Sequence, residues 1–536
     1  MKRILLFTTM LFTFGATAQL RLVKEINNVN SSAPGSFYEY NGRLFFTALT
    51  GSSRYVFATD GTTTGTVNIR FDDPNTGALV NNPDASVNFY TYNSELFFDA
   101  RRVIDDHAFV TKLIGTSNAA VSLYDVSNVT TGTASVNSRL GYSVGLNNKL
   151  IFSPIIANNQ TSVEPYVTDL ATPANSGLLK NIFIATNSGS YPTEFTVLGT
   201  NCFFSATDDN NGRELWKTDG TGTGTVLYLD MNTGASSSDP DLFNVLGSQL
   251  TFVATHPTLG RELFKTNGSG SLTLIKDINT TGDSNPTNVK IIGTDLYFSA
   301  NNGTIGQELW KSNGNNIGTV LIKDINPSGD SNPSNFTQVG SLIFFLADDG
   351  VNGIDLWKTD GTNAGTSLVK NVVTGTKSIQ NLTAYNGKLY FIVFDSSTSS
   401  REMWVSDGTV TGTQMVLATT FGPRNLYVFG DELFMSAIFN NTVGVELCAY
   451  KDPALNTIDF SLNENTIKLF PNPSQNYFEL STKQTVEKVE VYSVLGQLVK
   501  SFKAQNQYSI SDLSKGSYIV KIATLEGTSN KTLLIE

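Results

Sequence analysis

A seven-residue pattern recurs along the middle of the chain and constrains its fold more than any other feature. It consists of an acidic residue followed by Leu-Trp-Lys-Thr-Asp-Gly or a close variant, and the copies begin at Glu214, Glu262, Glu308, Asp355 and Glu402. The intervals are 46 to 48 residues, all four tryptophans occupy one position of the pattern, and Phe264 fills that position in the remaining copy. A period of about 20–50 residues is typical of solenoids and propellers, in which each repeat is one supersecondary unit.

Each repeat contains four short strand patterns. In the copy at Glu308 they cover residues 289–293, 295–300, 308–312 and 319–325, separated by Gly, Asn and Asp at turn positions. Runs of β-branched and aromatic residues with such turns are typical of hairpins, and four antiparallel strands in about 47 residues predict a propeller blade. Weaker copies of the first hairpin extend the series to nine between residues 21 and 452. Because propellers usually have about 4–8 blades, the sequence predicts an all-β propeller of eight or nine four-stranded blades.

The two ends of the repeat region complement each other. Residues 22–26 match the outer fourth strand of a repeat and lack the three strands that should precede it, whereas residues 445–450 match a third strand and lack a fourth. We therefore predict a propeller over residues 19–452, in which the N-terminal strand completes the final blade. This pairing would leave no open sheet edge.

The first 18 residues have the pattern of a secretory signal peptide. Lys2 and Arg3 precede a mostly apolar run over residues 4–14, and small residues stand before a cleavage point between Ala18 and Gln19. The run is shorter than the roughly 20 residues that cross a bilayer. We expect a mature chain without a transmembrane segment.

The repeat pattern ends before the C-terminus. A linker is predicted over residues 453–464, and residues 465–536 alternate apolar and polar positions around Gly turns. Such alternation is typical of antiparallel sheets with one buried face. This segment is predicted to form a small β-sandwich.

Both regions resemble known families. The repeats are similar to the ELWxxDGTxxGTxxVKDI repeats of secreted bacterial proteins, which implies a propeller-like fold and export but no reaction. Residues 465–536 resemble the type A C-terminal sorting domain of the type IX (Por) secretion system. The resemblance rests on Pro471-Asn472-Pro473 and on the strands at 491–497 and 516–520. It implies type IX machinery as a partner, passage across the outer membrane of a Bacteroidota-type cell, removal of the domain, and release or surface attachment.

Composition excludes several function classes. The chain has 36 Lys and Arg against 47 Asp and Glu, a net charge of −11, and only two His and two Cys. An acidic surface disfavours nucleic acid, and so few His and Cys cannot build a multi-ligand zinc site. Whether Cys202 and Cys448 pair is left open.

The candidate sites lie mainly in loops. The candidates for ligand binding are Asp99, Arg101, Arg102, Asp105, Asp106 and His107, which lie in an insertion of an irregular early repeat, together with residues 158–164. Calcium candidates are Asp208, Asp209, Asp348 and Asp349, because clustered carboxylates supply the oxygen ligands that calcium prefers. No other cofactor is expected.

Two further repeated features have structural interpretations. The Asp-Gly-Thr triplets are interpreted as hairpin turns, since Gly accepts a positive φ and Asp accepts local N–H groups. The acid that opens each third strand is either part of a carboxylate ring for cations or a polar contact between repeats.

Two functions fit this sequence. The first is a secreted or cell-surface propeller that binds an extracellular glycan or protein without catalysis. The second is a propeller hydrolase or lyase acting on polysaccharide. Glycoside hydrolysis needs two carboxylates about 5–10 Å apart. A cluster of carboxylates with a Tyr or Arg, converging on the central pocket, would favour the enzyme.

Overall fold

The computed structural model describes residues 19–28, 30–72, 79–80, 88–101, 108–125, 139–155, 163–185, 188–440, 443–452, 467–482, 485–493, 497–524 and 527–536. The chain divides into two compact units, Met1–Pro453 and Ala454–Glu536. Within the described residues the first unit contains nine sheets, which we number as blades 1 to 9 in chain order.

The early blades follow the first strand, β1 (Gln19–Lys24). Blade 1 comprises β2 (Gly35–Tyr40), β3 (Arg43–Thr50), β4 (Ser53–Thr59) and β5 (Val67–Asn68). Blade 2 comprises β6 (Arg70–Asp72), β7 (Leu79–Val80), β8 (Phe89–Tyr92), β9 (Glu95–Arg101), β10 (Ala108–Leu113) and β11 (Ala119–Asp125). Blade 3 comprises β12 (Arg139–Leu146), β13 (Lys149–Ile155), β14 (Tyr166–Asp169) and β15 (Gly177–Leu178), with a 3₁₀ turn at Pro173–Asn175.

The middle blades are the most regular. Blade 4 comprises β16 (Thr193–Leu198), β17 (Asn201–Asp208), β18 (Gly212–Thr218) and β19 (Val226–Leu229). Blade 5 comprises β20 (Asp241–Leu246), β21 (Gln249–His256), β22 (Gly260–Thr266) and β23 (Leu272–Lys276). Blade 6 comprises β24 (Thr287–Ile292), β25 (Asp295–Asn301), β26 (Gln307–Ser312) and β27 (Val320–Lys323).

The last three blades complete the ring. Blade 7 comprises β28 (Ser334–Val339), β29 (Leu342–Asp348), β30 (Ile354–Thr359) and β31 (Ser367–Lys370). Blade 8 comprises β32 (Lys377–Tyr385), β33 (Lys388–Asp395), β34 (Ser400–Ser406) and β35 (Gln414–Leu417), followed by a 3₁₀ turn at Thr419–Phe421. Blade 9 comprises β36 (Arg424–Phe429), β37 (Glu432–Asn440), β38 (Val443–Lys451) and, as its fourth strand, β1.

The blades form a closed ring, as the sequence predicts. β1 pairs antiparallel with β38, with Gln19 opposite Lys451 and Leu22 opposite Cys448. The first strands of most successive blades contact each other, and β2 of blade 1 contacts both β8 of blade 2 and β36 of blade 9. These first strands therefore surround the central channel.

Blade 2 differs from the predicted four-stranded unit. Its sheet has the order β7-β6-β11-β10-β9-β8, in which β6 pairs in parallel with β11. The two added strands come from the connection between blades 1 and 2. They cover the outer edge that β11 would otherwise expose.

Apolar side chains pack between neighbouring blades. In one such cluster Leu309 of blade 6 packs with Phe345 and Trp357 of blade 7, and all three are at most 6% exposed. Each sheet thus buries both faces, which explains why the central strands read as continuous apolar runs rather than as alternating ones.

The second unit is the predicted small β-sandwich. One sheet contains β39 (Lys468–Phe470), β40 (Tyr477–Ser481) and β43 (Tyr508–Ser509), and the other contains β41 (Val486–Ser493), β42 (Leu498–Lys503), β44 (Gly516–Thr524) and β45 (Gly527–Ile535). Phe478 and Tyr508 from the first sheet share a buried core with Val491 and Val520 from the second.

No helix in the part of the chain that the structure describes is long and apolar enough to cross a membrane.

Candidate functional site

The acidic residue near the start of the third strand is buried in most blades and connects neighbouring blades through hydrogen bonds. The carboxylate of Glu214 accepts hydrogen bonds from the backbone N–H of Met231 at 3.0 Å and from the N–H and hydroxyl of Ser238 at 2.7 and 2.5 Å. Ser238 belongs to the connection that leads into blade 5, so the acid ties one blade to the next. Burial raises the pKa of Glu214. The same arrangement recurs at Glu164, Glu262, Glu308 and Glu446, while Asp355 accepts from the backbone N–H groups of Val372 and Val373.

The Asp-Gly-Thr triplets form turns. Asp219 Oδ1 accepts from the backbone N–H of Thr221 at 2.9 Å and from its hydroxyl at 2.7 Å, which lowers the pKa of the carboxyl. Gly220 has a φ of +88°, a conformation that side chains other than Gly rarely adopt. Lys149 of the preceding blade donates to the Gly220 carbonyl at 2.8 Å. The triplet is therefore used in turn formation and in contacts between blades.

The lysine of the fourth strand makes a second contact between blades. Lys276 of blade 5 donates to the carbonyl of Thr319 in blade 6 at 3.0 Å, and Lys370 of blade 7 donates to that of Thr413 in blade 8 at 2.6 Å. The acid, the turn and the lysine of the repeated motif thus all have structural roles. A functional site has to be sought among residues outside the motif.

The predicted calcium ligands are occupied by protein donors. Asp208 accepts from the backbone of Asn210 and Asn211, and Asp209 accepts from Ile184 and Ala185. Asp349 likewise accepts from Val351 and Asn352, and Asp348 accepts from Gly350. Among the described residues no group of three or more His, Cys, Asp or Glu side chains could hold a metal ion. Calcium binding at these loops stays a prediction.

The predicted binding loop is only partly described. Asp99 is 7% exposed and its Oδ1 accepts from the backbone N–H of Asn88 at 2.7 Å. The backbone of Arg101 pairs with Ala108. Arg102, Asp105, Asp106 and His107 lie outside the described residues, as do residues 156–162 and the predicted cleavage residue Ala18; Gln19 begins β1.

Neither cysteine is placed to act as a nucleophile or metal ligand in the folded protein. Cys202 in blade 4 and Cys448 in blade 9 are free and fully buried. Burial raises the pKa of both thiols, which disfavours the thiolate that a nucleophile or metal ligand requires.

A groove lines the central channel along blades 6, 7 and 8. It has a volume of about 420 Å³ and is formed by the first strands of those blades, through Asn288, Val289, Lys290, Asn335, Phe336, Thr337, Asn381 and Leu382. The three asparagines are exposed, and none of the eight lining residues carries a carboxylate.

A bulge in each first strand places the asparagines in the groove. The pairing register shifts between Ser334 and Thr337, where Asn335 has a φ of +58°; Asn288 and Asn381 have φ values of +55° and +51° at the equivalent bulges. Asparagine tolerates this left-handed region better than most residues. The sequence reasoning missed these residues, although the recurring Asn-Pro-x-Asn of residues 285–288 and 332–335 is a signal that could have found them.

Comparison with known proteins identifies the second unit. Residues 468–536 match the family described as the secretion system C-terminal sorting domain. This unit is a sorting domain for type IX secretion. The sorting domain directs the protein through the type IX machinery to the cell surface or the extracellular space. No curated protein matches the chain.

Solved structures similar to the chain include propellers. A puromycin hydrolase has 11% identity and a TM-score of 0.35, with 70% of this chain and 61% of the hydrolase covered, so the match spans less than two thirds of that enzyme. The β-propeller domain of the Trilobed protease from Pyrococcus furiosus has 10% identity and a TM-score of 0.33, with 62% and 99% covered. The extracellular domain of a putative one component system from B. thetaiotaomicron has 11% identity and a TM-score of 0.24, with 94% and 87% covered.

Proposed function

We propose that the protein is a noncatalytic binding protein of the cell surface or extracellular space, and that the groove along blades 6 to 8 binds a glycan. The observation that carries this proposal is the lining of the groove. Exposed amides of Asn335 and Asn381 and the hydroxyl of Thr337 stand on rigid strands around a volume of about 420 Å³. Amides and hydroxyls are donors and acceptors at once, which suits the hydroxyl groups of sugars.

The polysaccharide hydrolase or lyase is the less supported alternative. Glycoside hydrolysis uses two carboxylates about 5–10 Å apart, and the groove residues supply none. The repeated buried acids are engaged by serine hydroxyls and backbone N–H groups.

A glycan-binding screen of the full chain tests the proposal. Asn335→Gly and Asn381→Gly remove an amide while keeping a residue that accepts a positive φ, and each is expected to weaken glycan binding about tenfold. The matched control is Asn41→Gly, an exposed turn residue of blade 1 with a φ of +48°. Equal affinities for all three variants would exclude this groove, and release of reducing ends from a bound polysaccharide would favour the enzyme.

We also propose that a signal peptide is cleaved between Ala18 and Gln19 during export. The remaining chain would then consist of a propeller over residues 19–452, a linker over 453–464 and the sorting domain over 465–536. The support is the signal-like sequence of residues 1–18 and the position of Gln19 at the start of the closing strand. N-terminal sequencing of the exported protein is expected to begin at Gln19, and a new N-terminus inside β1 would contradict these limits.

A further inference from the structure

In blade 5 a salt bridge joins the first strand to the third. In blade 5, Asp241 stands just before the bulge of the first strand, and Arg261 stands near the start of the third strand. They form a salt bridge of 2.6 Å. Arg261 also donates to the Asp239 carbonyl at 2.9 Å. In blade 4 the equivalent residues are Thr193 and Arg213, which form a hydrogen bond.

Blades 8 and 9 lack this match. The strand register places Arg424 of blade 9 at the position of Asp241, with Val445 at the position of Arg261. In blade 8 the register places Arg401 at the position of Arg261, with the uncharged Gln380 at that of Asp241. Two neighbouring blades therefore each carry an arginine without the acid that neutralises the pair in blade 5.

The two arginines are accessible and lack an opposing carboxylate. Arg424 is exposed, whereas Arg401 is half-buried, with its guanidinium carbon 4.3 Å from the ring centroid of Phe394. Among the described residues neither guanidinium forms an ion pair. The neighbouring acid Glu402 is engaged by Trp404 Nε1 at 2.9 Å and by Lys377 at 3.7 Å.

The two positive charges also lie close to each other. The first strands of blades 8 and 9, β32 and β36, are in contact. Burial lowers the pKa of Arg401, and the nearby charge of Arg424 lowers it further. An anion between two guanidinium groups would relieve this repulsion and form charge-assisted hydrogen bonds.

The arginine pair lies on blade 8, which contributes Asn381 to the proposed glycan groove, and on the neighbouring blade 9. Lys290 is exposed on blade 6, Asn335 and Asn381 follow on blades 7 and 8, and Arg424 stands at the start of the next first strand. The chain as a whole carries a net charge of −11, so these three cations contrast with its overall charge.

We infer that the groove binds an anionic polysaccharide, whose carboxylate or sulfate groups contact Arg401 and Arg424 while its hydroxyl groups contact the asparagine amides. This inference rests on the proposed glycan-binding function and adds the chemical class of the glycan. Binding is expected to weaken as the ionic strength rises, because salt screens exposed charges.

Calorimetric titration of the full chain with three polysaccharides tests the inference. The probes are polygalacturonate, which carries carboxylates, dextran sulfate, which carries sulfates, and unmodified dextran, which is neutral. Arg401→Gln and Arg424→Gln are each expected to weaken binding of the preferred anionic polymer about tenfold. The control Arg70→Gln removes the same charge from an exposed position on β6 of blade 2 and is expected to leave the affinity unchanged.

The outcomes separate the two proposals. Tighter binding of one anionic polymer, lost in both arginine variants and retained in Arg70→Gln, supports the inference and identifies the anionic group. Equal binding of dextran, or an equal loss in Arg70→Gln, overturns the anionic class while glycan binding stands. No binding of any glycan in the wider screen overturns the proposed function itself.

Discussion

At the scale of single residues, the repeated side chains stabilise the ring. Trp310 is 6% exposed and packs between blades 5 and 6 against Leu263 and Phe298. The register of the four tryptophans is therefore a packing requirement. Sugar stacking on the three tryptophans at 6% exposure, Trp216, Trp310 and Trp357, is disfavoured for the same reason.

Replacing Trp310 by Ala should be strongly destabilising. Loss of this buried ring is expected to lower the free energy of unfolding by about 3–5 kcal/mol, measured by denaturant titration. Ile317→Ala in the same blade is the control, because Ile317 is 92% exposed. Equal unfolding midpoints for the two variants would contradict the burial of the ring.

Glu262 should make stability depend on pH. Burial raises the pKa of this carboxyl from 4.5 to about 7 in the folded protein. Between those pH values the folded chain holds a proton that the unfolded chain releases, so the free energy of unfolding falls as the pH rises through this window. Subtracting the stability of Glu262→Gln from that of the unchanged protein should give a difference that declines from pH 5 to pH 7. A flat difference across this window would contradict the raised pKa.

At the scale of secondary-structure elements, the pairing of β1 with β38 is the feature that closes the propeller. Truncated repeats at both ends were enough to predict this pairing from the sequence. The two added strands of blade 2 could not be predicted, since β6 and β7 lie in a connection that has no counterpart in the other repeats.

An engineered disulfide can test the closing pair. Leu22 lies directly opposite Cys448, and opposed side chains in antiparallel strands come within about 4.5–5.5 Å at Cβ. Leu22→Cys is therefore expected to form a disulfide with Cys448, detected as faster migration in nonreducing electrophoresis. Leu20→Cys faces Tyr450 and serves as the control. Three titratable thiols in the unfolded Leu22→Cys protein, instead of the single thiol of Cys202, would argue against this register.

The bulges of the first strands could not be predicted from the sequence. Strand patterns located the β-strands, but a pattern of alternation does not reveal which residue of a strand takes a positive φ. Asn335 and Asn381 reach the channel because of that local conformation. Arg424 occupies the position of Asp241, and Val445 occupies that of Arg261, which becomes visible only after the blades are aligned by register.

At the scale of the whole molecule, a repeat-built ring is joined in sequence to a sorting domain. The predicted fold class and destination are confirmed by the sheets and by the match at residues 468–536. The binding role remains a prediction, because a motif used in turns and contacts between blades carries no information about a ligand.

Removing the sorting domain should stop delivery without unfolding the propeller. The two units are each compact, and the domain has its own buried core. In cell fractionation, a chain lacking residues 465–536 is expected in the periplasm. The variant Asp512→Asn, which changes an exposed residue of the domain, serves as a control for expression. Surface delivery of the truncated chain would contradict the assigned role of the domain.

The order of strands in blade 9 determines when folding can finish. β1 precedes the other described strands of the propeller, yet its partner β38 ends at Lys451, more than 400 residues later. Contacts of such large sequence separation form slowly, because the intervening chain must be ordered first. The propeller can therefore close only after its last blade is available, and until then the backbone groups of β1 that pair with β38 lack their partners.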